Sequence, residues 1–125
     1  MPSFNQTIRP CISAELTEAW CALRRGERES SFRHLERAHV LGQSSTLHHV
    51  RVHLSMLAWA LHTRTPREVA GQLLRIVGAT TKTPFGLVPT GNSGGSNVSP
   101  AKPLPIPADL AASIASARQN AQPKA

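Results

Sequence analysis

The chain has 125 residues, 40% hydrophobic and 17% charged, enough for one domain with a modest core and hardly for two. Basic residues outnumber acidic ones 14 to 7, a net charge of +7, but the excess is spread out: ten against six over 1–79 (+4), four against one over 80–125 (+3). No apolar run approaches the ~20 residues of a membrane helix, the polar start with Arg9 and Pro10 lacks the apolar stretch of a secretory signal, and two cysteines make no disulfide framework. The expectation is one cytoplasmic domain, off the membrane.

The first 79 residues read as four helices. Helix one is expected from about Pro10 to Arg25, with Ile12, Leu16, Trp20 and Leu23 at helical spacing and Gly26 as the stop. Helix two starts with Ser30 or Ser31 as N-cap, turns Phe32, Leu35, Ala38 and His39 inward, and stops at Gly42. Helix three starts at Ser45 or Thr46, and Val50, Leu54, Leu57 and Leu61 form its buried stripe. Helix four opens with Thr65 as N-cap, Pro66 and a capping-box Glu68. Its predicted apolar face is Val69, Leu73, Ile76 and Val77, closed by Gly78. The connections are short, so successive helices are expected to be antiparallel neighbours.

From 80 to 107 the texture changes to a stretch rich in Gly, Pro and Ser, without helical period, that reads as a loop wrapped over the helices. Phe85, Leu87, Val88 and Val98 give it apolar surface, and Pro103, Pro105 and Pro107 lead into a last helix from Ala108 to about Gln119 anchored by Leu110 and Ile114. The tail after Asn120 reads as frayed. The organisation is therefore a four-helix array over 1–79, a wrapping loop over 80–107 and a C-terminal helix with its tail over 108–125, all in one domain.

The run Gly26–Ala38, with glycine at an inter-helix turn and then Ser31, Leu35 and Ala38 as small, large and small residues, resembles the middle of a tetratricopeptide repeat. Over most of the chain, Phe32–Gln43 (FRHLERAHVLGQ), Gly71–Gly78 (GQLLRIVG) and the following FGLVPTGNSGG are similar to a bacterial family of small proteins of unknown function. That resemblance implies an all-α fold and carries no activity with it.

Six histidines are the main chemical feature. His49 and His53 are four residues apart, one turn along the same helix face, a spacing that lets two imidazoles chelate one metal. On the predicted helix three they flank the Leu stripe. In the hairpin of helices two and three, facing positions have numbers summing to about 88, so His39 faces position 49 and Glu36 or Leu35 faces position 52 or 53. Three imidazoles and a carboxylate thus converge at one end of the hairpin. Neutral imidazole suits zinc, copper, nickel or iron, and Glu36 either ligates or orients a ring. The plainer reading of the same residues is a set of hydrogen-bonded core and capping histidines. His34 and His62 read as surface residues.

Other signals carry less. The arginines from Arg24 to Arg37 are interrupted by Glu27, Glu29 and Glu36 and lack a companion aromatic stripe, which argues against nucleic acid. Cys11 and Cys21 lie ~15 Å apart along one helix and cannot bridge. Gly86–Ser93 has phosphate-loop spacing, with Asn92 where the lysine belongs and no preceding strand. Its glycines read as a tight, backbone-donating turn that packs over the helices. Two functions of different classes follow. One is a buffer, carrier or sensor binding a transition metal through His39, His49, His53 and Glu36. The other is a tetratricopeptide-like adaptor that holds a protein partner against Phe85, Leu87 or Val88, with purely structural histidines. Nothing in the sequence assembles a catalytic constellation.

Overall fold

A computed structural model describes residues 2–82, 85, 91–96 and 103–121. These residues form an all-α fold of five helices: α1 (Phe4–Arg24), α2 (Arg28–Gly42), α3 (Thr46–His62), α4 (Pro66–Lys82) and α5 (Ala108–Gln119). Helices α1 to α4 pack in chain order as successive hairpins, and α5 lies back across α1 and α2. Leu87, Val88 and Val98 lie outside the described residues.

Helix α1 begins two turns before the expected start. Ser3 is its N-cap, and the Ser3 N–H donates to Gln6 Oε1 at 2.8 Å. Pro10 therefore sits inside the helix rather than in its first turn. The early turns persist because α5 holds them: Thr7 Oγ1 donates to the Ala117 carbonyl at 2.7 Å, Arg118 lies 5.8 Å over the Phe4 ring, and Ile8 is fully buried. Docking of this kind outweighs the single hydrogen bond and ring crowding that an internal proline costs.

Helix α2 begins at Arg28 after Glu27, so Ser31 is not its cap. Ser31 is fully buried and its hydroxyl donates to the Ala19 carbonyl at 2.7 Å, which makes it the small residue that lets α1 and α2 approach. Leu35 and Ala38, one and two turns on, are buried on the same side. Glu15 on α1 accepts from Arg37 at 2.9 Å and bonds His34 Nδ1 at 2.7 Å, and Arg37 also pairs with Asp109 at the start of α5. His34 is thus half-buried in this network, and His62 is exposed.

The two later helices are rotated from the expected register. On α3 the buried face is His49, Val52, His53, Met56 and Ala60, whereas Leu54 and Leu61 are 51% and 61% exposed. On α4 the inward face is Glu68, Gln72, Arg75 and Ala79, whereas Leu73, Leu74 and Val77 point outward. Helix α4 also runs past Gly78 to Lys82. The apolar core is built by α1, α2, α3 and α5, from Ile8, Ile12, Leu35, Leu41, Met56 and Leu110 among others. Polar residues instead fill the space between α2, α3 and α4. A polar interior persists only where every group finds a partner, because an orphaned buried donor or acceptor costs about 1–3 kcal/mol.

A candidate metal centre

Three of those polar residues are histidines. His39 comes from the last turn of α2, and His49 and His53 come from successive turns of α3. Gly42 permits their approach: a Cβ there would stand 3.0 Å from His48 Cβ, so α3 enters close against the end of α2. The Nε2 atoms of the three rings meet. His39 and His49 are 2.9 Å apart, and His53 is 3.1 Å from each. His39 meets the other two rings edge-on and those two are tilted to each other, at centroid separations of 4.7–4.8 Å, and each residue is no more than 5% exposed.

The outer nitrogens fix the tautomers. His39 Nδ1 lies 2.6 Å from the Asn92 backbone carbonyl, which can only accept. His53 Nδ1 lies 2.6 Å from Gln72 Oε1. The orientation of that amide is determined in turn, because Gln72 Nε2 donates to Glu68 Oε1 at 2.6 Å and to the Gly94 carbonyl at 2.9 Å. Both His39 and His53 must therefore carry their proton on Nδ1, leaving Nε2 lone pairs aimed at each other. Two arrangements satisfy this geometry. In one, His49 holds a proton on Nε2 and shares it with the other two rings. In the other, a cation occupies the centre and all three Nε2 atoms bind it.

Burial favours neutral rings. It pushes His49 down to about 3, helped by the nearby His53, and His53 down to about 4, with the Gln72 bond opposing and Arg75 reinforcing the shift. Burial holds His39 well below the ordinary histidine value, and the other two rings add to the effect. All three rings are neutral at neutral pH. Tetrahedral coordination at ~2.0–2.1 Å places nitrogens about 3.3 Å apart, so the rings need to open by only about 0.3 Å per pair to hold an ion.

Around the triad lies a shell that the sequence reading did not assign. Glu68 is not a capping-box residue: its carboxylate turns inward and accepts hydrogen bonds from Gln72, from the Ser96 N–H at 3.1 Å and from the Ser96 hydroxyl. Arg75 is buried on the same face of α4. The glycine-rich turn over 91–96 covers the triad chiefly with carbonyls, from Asn92 and Gly94, where N–H donors were expected. The signal was present as polar residues at 68, 72 and 75, a helical stripe running beside the leucines of α4. Glu36 stands apart from the three converging nitrogens. It is half-buried and bonded to the Ser93 side chain, and burial with the nearby Glu68 raises its pKa. Phe85 is exposed, as a partner-binding surface there requires, while Leu87 and Val88 fall outside the described residues.

Gly94 locks the turn onto the site. Its φ is +82°, and a Cβ there would lie 2.6–2.7 Å from the His39 ring carbons. Gly94→Ala is expected to cost about 2–4 kcal/mol, from left-handed strain plus overpacking. Urea unfolding would measure it, and an unchanged midpoint would show that the turn is not docked on His39.

Residues 6–114 match the family described as "Protein of unknown function (DUF3703)". No curated protein and no solved structure matches the chain, and the tetratricopeptide-like character expected from Gly26–Ala38 is not confirmed.

Proposed function

The chain belongs to this family of unknown function, and within it we propose a protein that binds one transition-metal ion through the Nε2 atoms of His39, His49 and His53. The observation that carries the reading is the convergence of three buried imidazole nitrogens within 3.1 Å of one another. Two features support it over a purely structural trio. Two of the rings are oriented through Nδ1 by carbonyl acceptors, the outer-sphere arrangement that metal-binding histidines use. The ligand set is also neutral at physiological pH without any proton having to leave it. Imidazole donors favour zinc, copper, nickel or iron over the hard cations. Glu68 supplies negative charge beside the centre through Gln72.

The test is calorimetric titration of chelator-treated protein with zinc, copper and nickel, paired with nitrogen NMR of the imidazoles. One-to-one binding is expected, with His49 moving its proton from Nε2 to Nδ1 as the ion enters. Titration without saturable binding, or binding that leaves the His49 nitrogens unshifted, sinks the proposal and leaves a hydrogen-bonded trio sharing one proton.

A further inference from the structure

Helix α3 buries its histidines and consequently turns its leucines out. Leu47, Leu54 and Leu61 recur every seven residues and are 67%, 51% and 61% exposed. Ala58 lies exposed between the last two, while Val50 and Leu57 flank the line half-buried. Leu47, Val50 and Leu54 also line an apolar groove of about 600 Å³ with Trp20, and Arg51 is its one charged lining residue among the described residues. Thr80 of α4 closes the groove. Val77 and Leu73 precede Thr80 by three and seven residues, so they continue the same apolar surface along α4. A seven-residue leucine repeat on the solvent-facing side of a helix is the pattern of a helix-pairing seam.

We infer that this face is the interface of a homodimer, in which α3 packs antiparallel against α3 of a second copy. The repeat is self-complementary in that direction. When facing positions sum to 112, Leu54 meets Ala58 of the second copy and Ala58 meets its Leu54, so large residues fill the spaces left by small ones. Leu61 meets the aliphatic stem of Arg51, whose guanidinium reaches the rim. The two Arg51 residues are then ten positions apart, about 15 Å along the axis and beyond the ~8 Å screening length, so the basic charge does not block pairing here.

The area is adequate as well. Leu47, Leu54, Leu61, Leu73, Leu74 and Val77 each offer on the order of 100 Å², roughly 600 Å² per copy before their half-buried neighbours are added. A standard interface takes about 800 Å² from each partner. The inference is independent of metal binding, because the seam leucines are on the exposed face of α3 and the triad is on its buried face.

The test is sedimentation equilibrium of the full chain up to about 100 μM, above the micromolar limit usual for interfaces of this size. A dimer is expected, and Leu54→Glu is expected to weaken it by more than 100-fold while helical circular dichroism stays unchanged. Mixing Leu54→Glu with Ala58→Lys chains is expected to restore association, because these positions face each other in the antiparallel register. A monomer throughout the range overturns the inference and leaves the face to an unlike partner. A dimer indifferent to Leu54→Glu overturns it too, since the contact then lies elsewhere.

Discussion

Replacing His53 with alanine is expected to lower metal affinity by more than about 100-fold, with His39→Ala and His49→Ala equally damaging. Each substitution removes one of three nitrogens that meet at 2.9–3.1 Å, and loss of an outer-sphere partner alone costs about 10–100-fold. The metal-free variants should still fold, because the hydrophobic contacts of α3 run through Val52, Met56 and Ala60, which the change leaves in place. Their stability should nonetheless fall: in His53→Ala the Gln72 carbonyl oxygen loses its donor, at about 1–3 kcal/mol. His48→Ala and His34→Ala serve as controls. His48 bonds the Asn5 carbonyl through Nε2 at 2.9 Å and His34 bonds Glu15, so neither reaches the triad. Affinity measured by competition with a chromophoric chelator decides the matter. Binding that survives any of the three triad substitutions would remove that residue from the centre.

Acid should destabilise the metal-free protein well before its carboxylates titrate. In the unfolded chain the three histidines protonate near ~6.5. In the folded chain His53 resists protonation down to about 4 and His49 down to about 3, and His39 is also lowered, all chiefly by burial. Between those limits the unfolded state binds more protons than the folded one, so stability is complete above ~6.5 and drains away as pH falls. The slope is about 1.4 kcal/mol per pH unit for each histidine. Down to pH 4, His49 and His53 alone remove about 6–7 kcal/mol and His39 adds to the loss, against a typical total stability of about 5–15 kcal/mol. A bound ion adds about 4 kcal/mol at a thousandfold excess over its dissociation constant, enough to move the acid midpoint down by about one unit. Urea unfolding from pH 7 to 4, with and without metal, tests both halves. A metal-free stability that stays flat from pH 7 to 5 would mean that the rings are far more hydrated than their burial implies.

Much of this architecture was legible in the chain itself. Gly26, the Ser45 cap and Pro66 mark helix boundaries through backbone chemistry that acts within a few residues, and the structure places boundaries beside each of them. Hairpin arithmetic put His39 opposite position 49 for the same reason, since a short turn leaves antiparallel helices little choice of register. Where that reading failed, distant residues decided. Pro10 lies inside a helix because α5 holds the turns before it. Which face of α3 and α4 is buried could not follow from periodicity, because both faces carry a regular stripe, one of leucines and one of polar groups. The polar stripe went inside because His39, His53, Gln72, Glu68, Ser96 and the Asn92 and Gly94 carbonyls hydrogen-bond one another, with the glycine turn arriving from far along the chain. Local sequence determined the helices, the turns between the first four and the neighbourhood of the histidines. Only the tertiary structure decided which side of α3 and α4 became interior, because hydrogen-bond satisfaction is a property of the assembled set and of no segment within it.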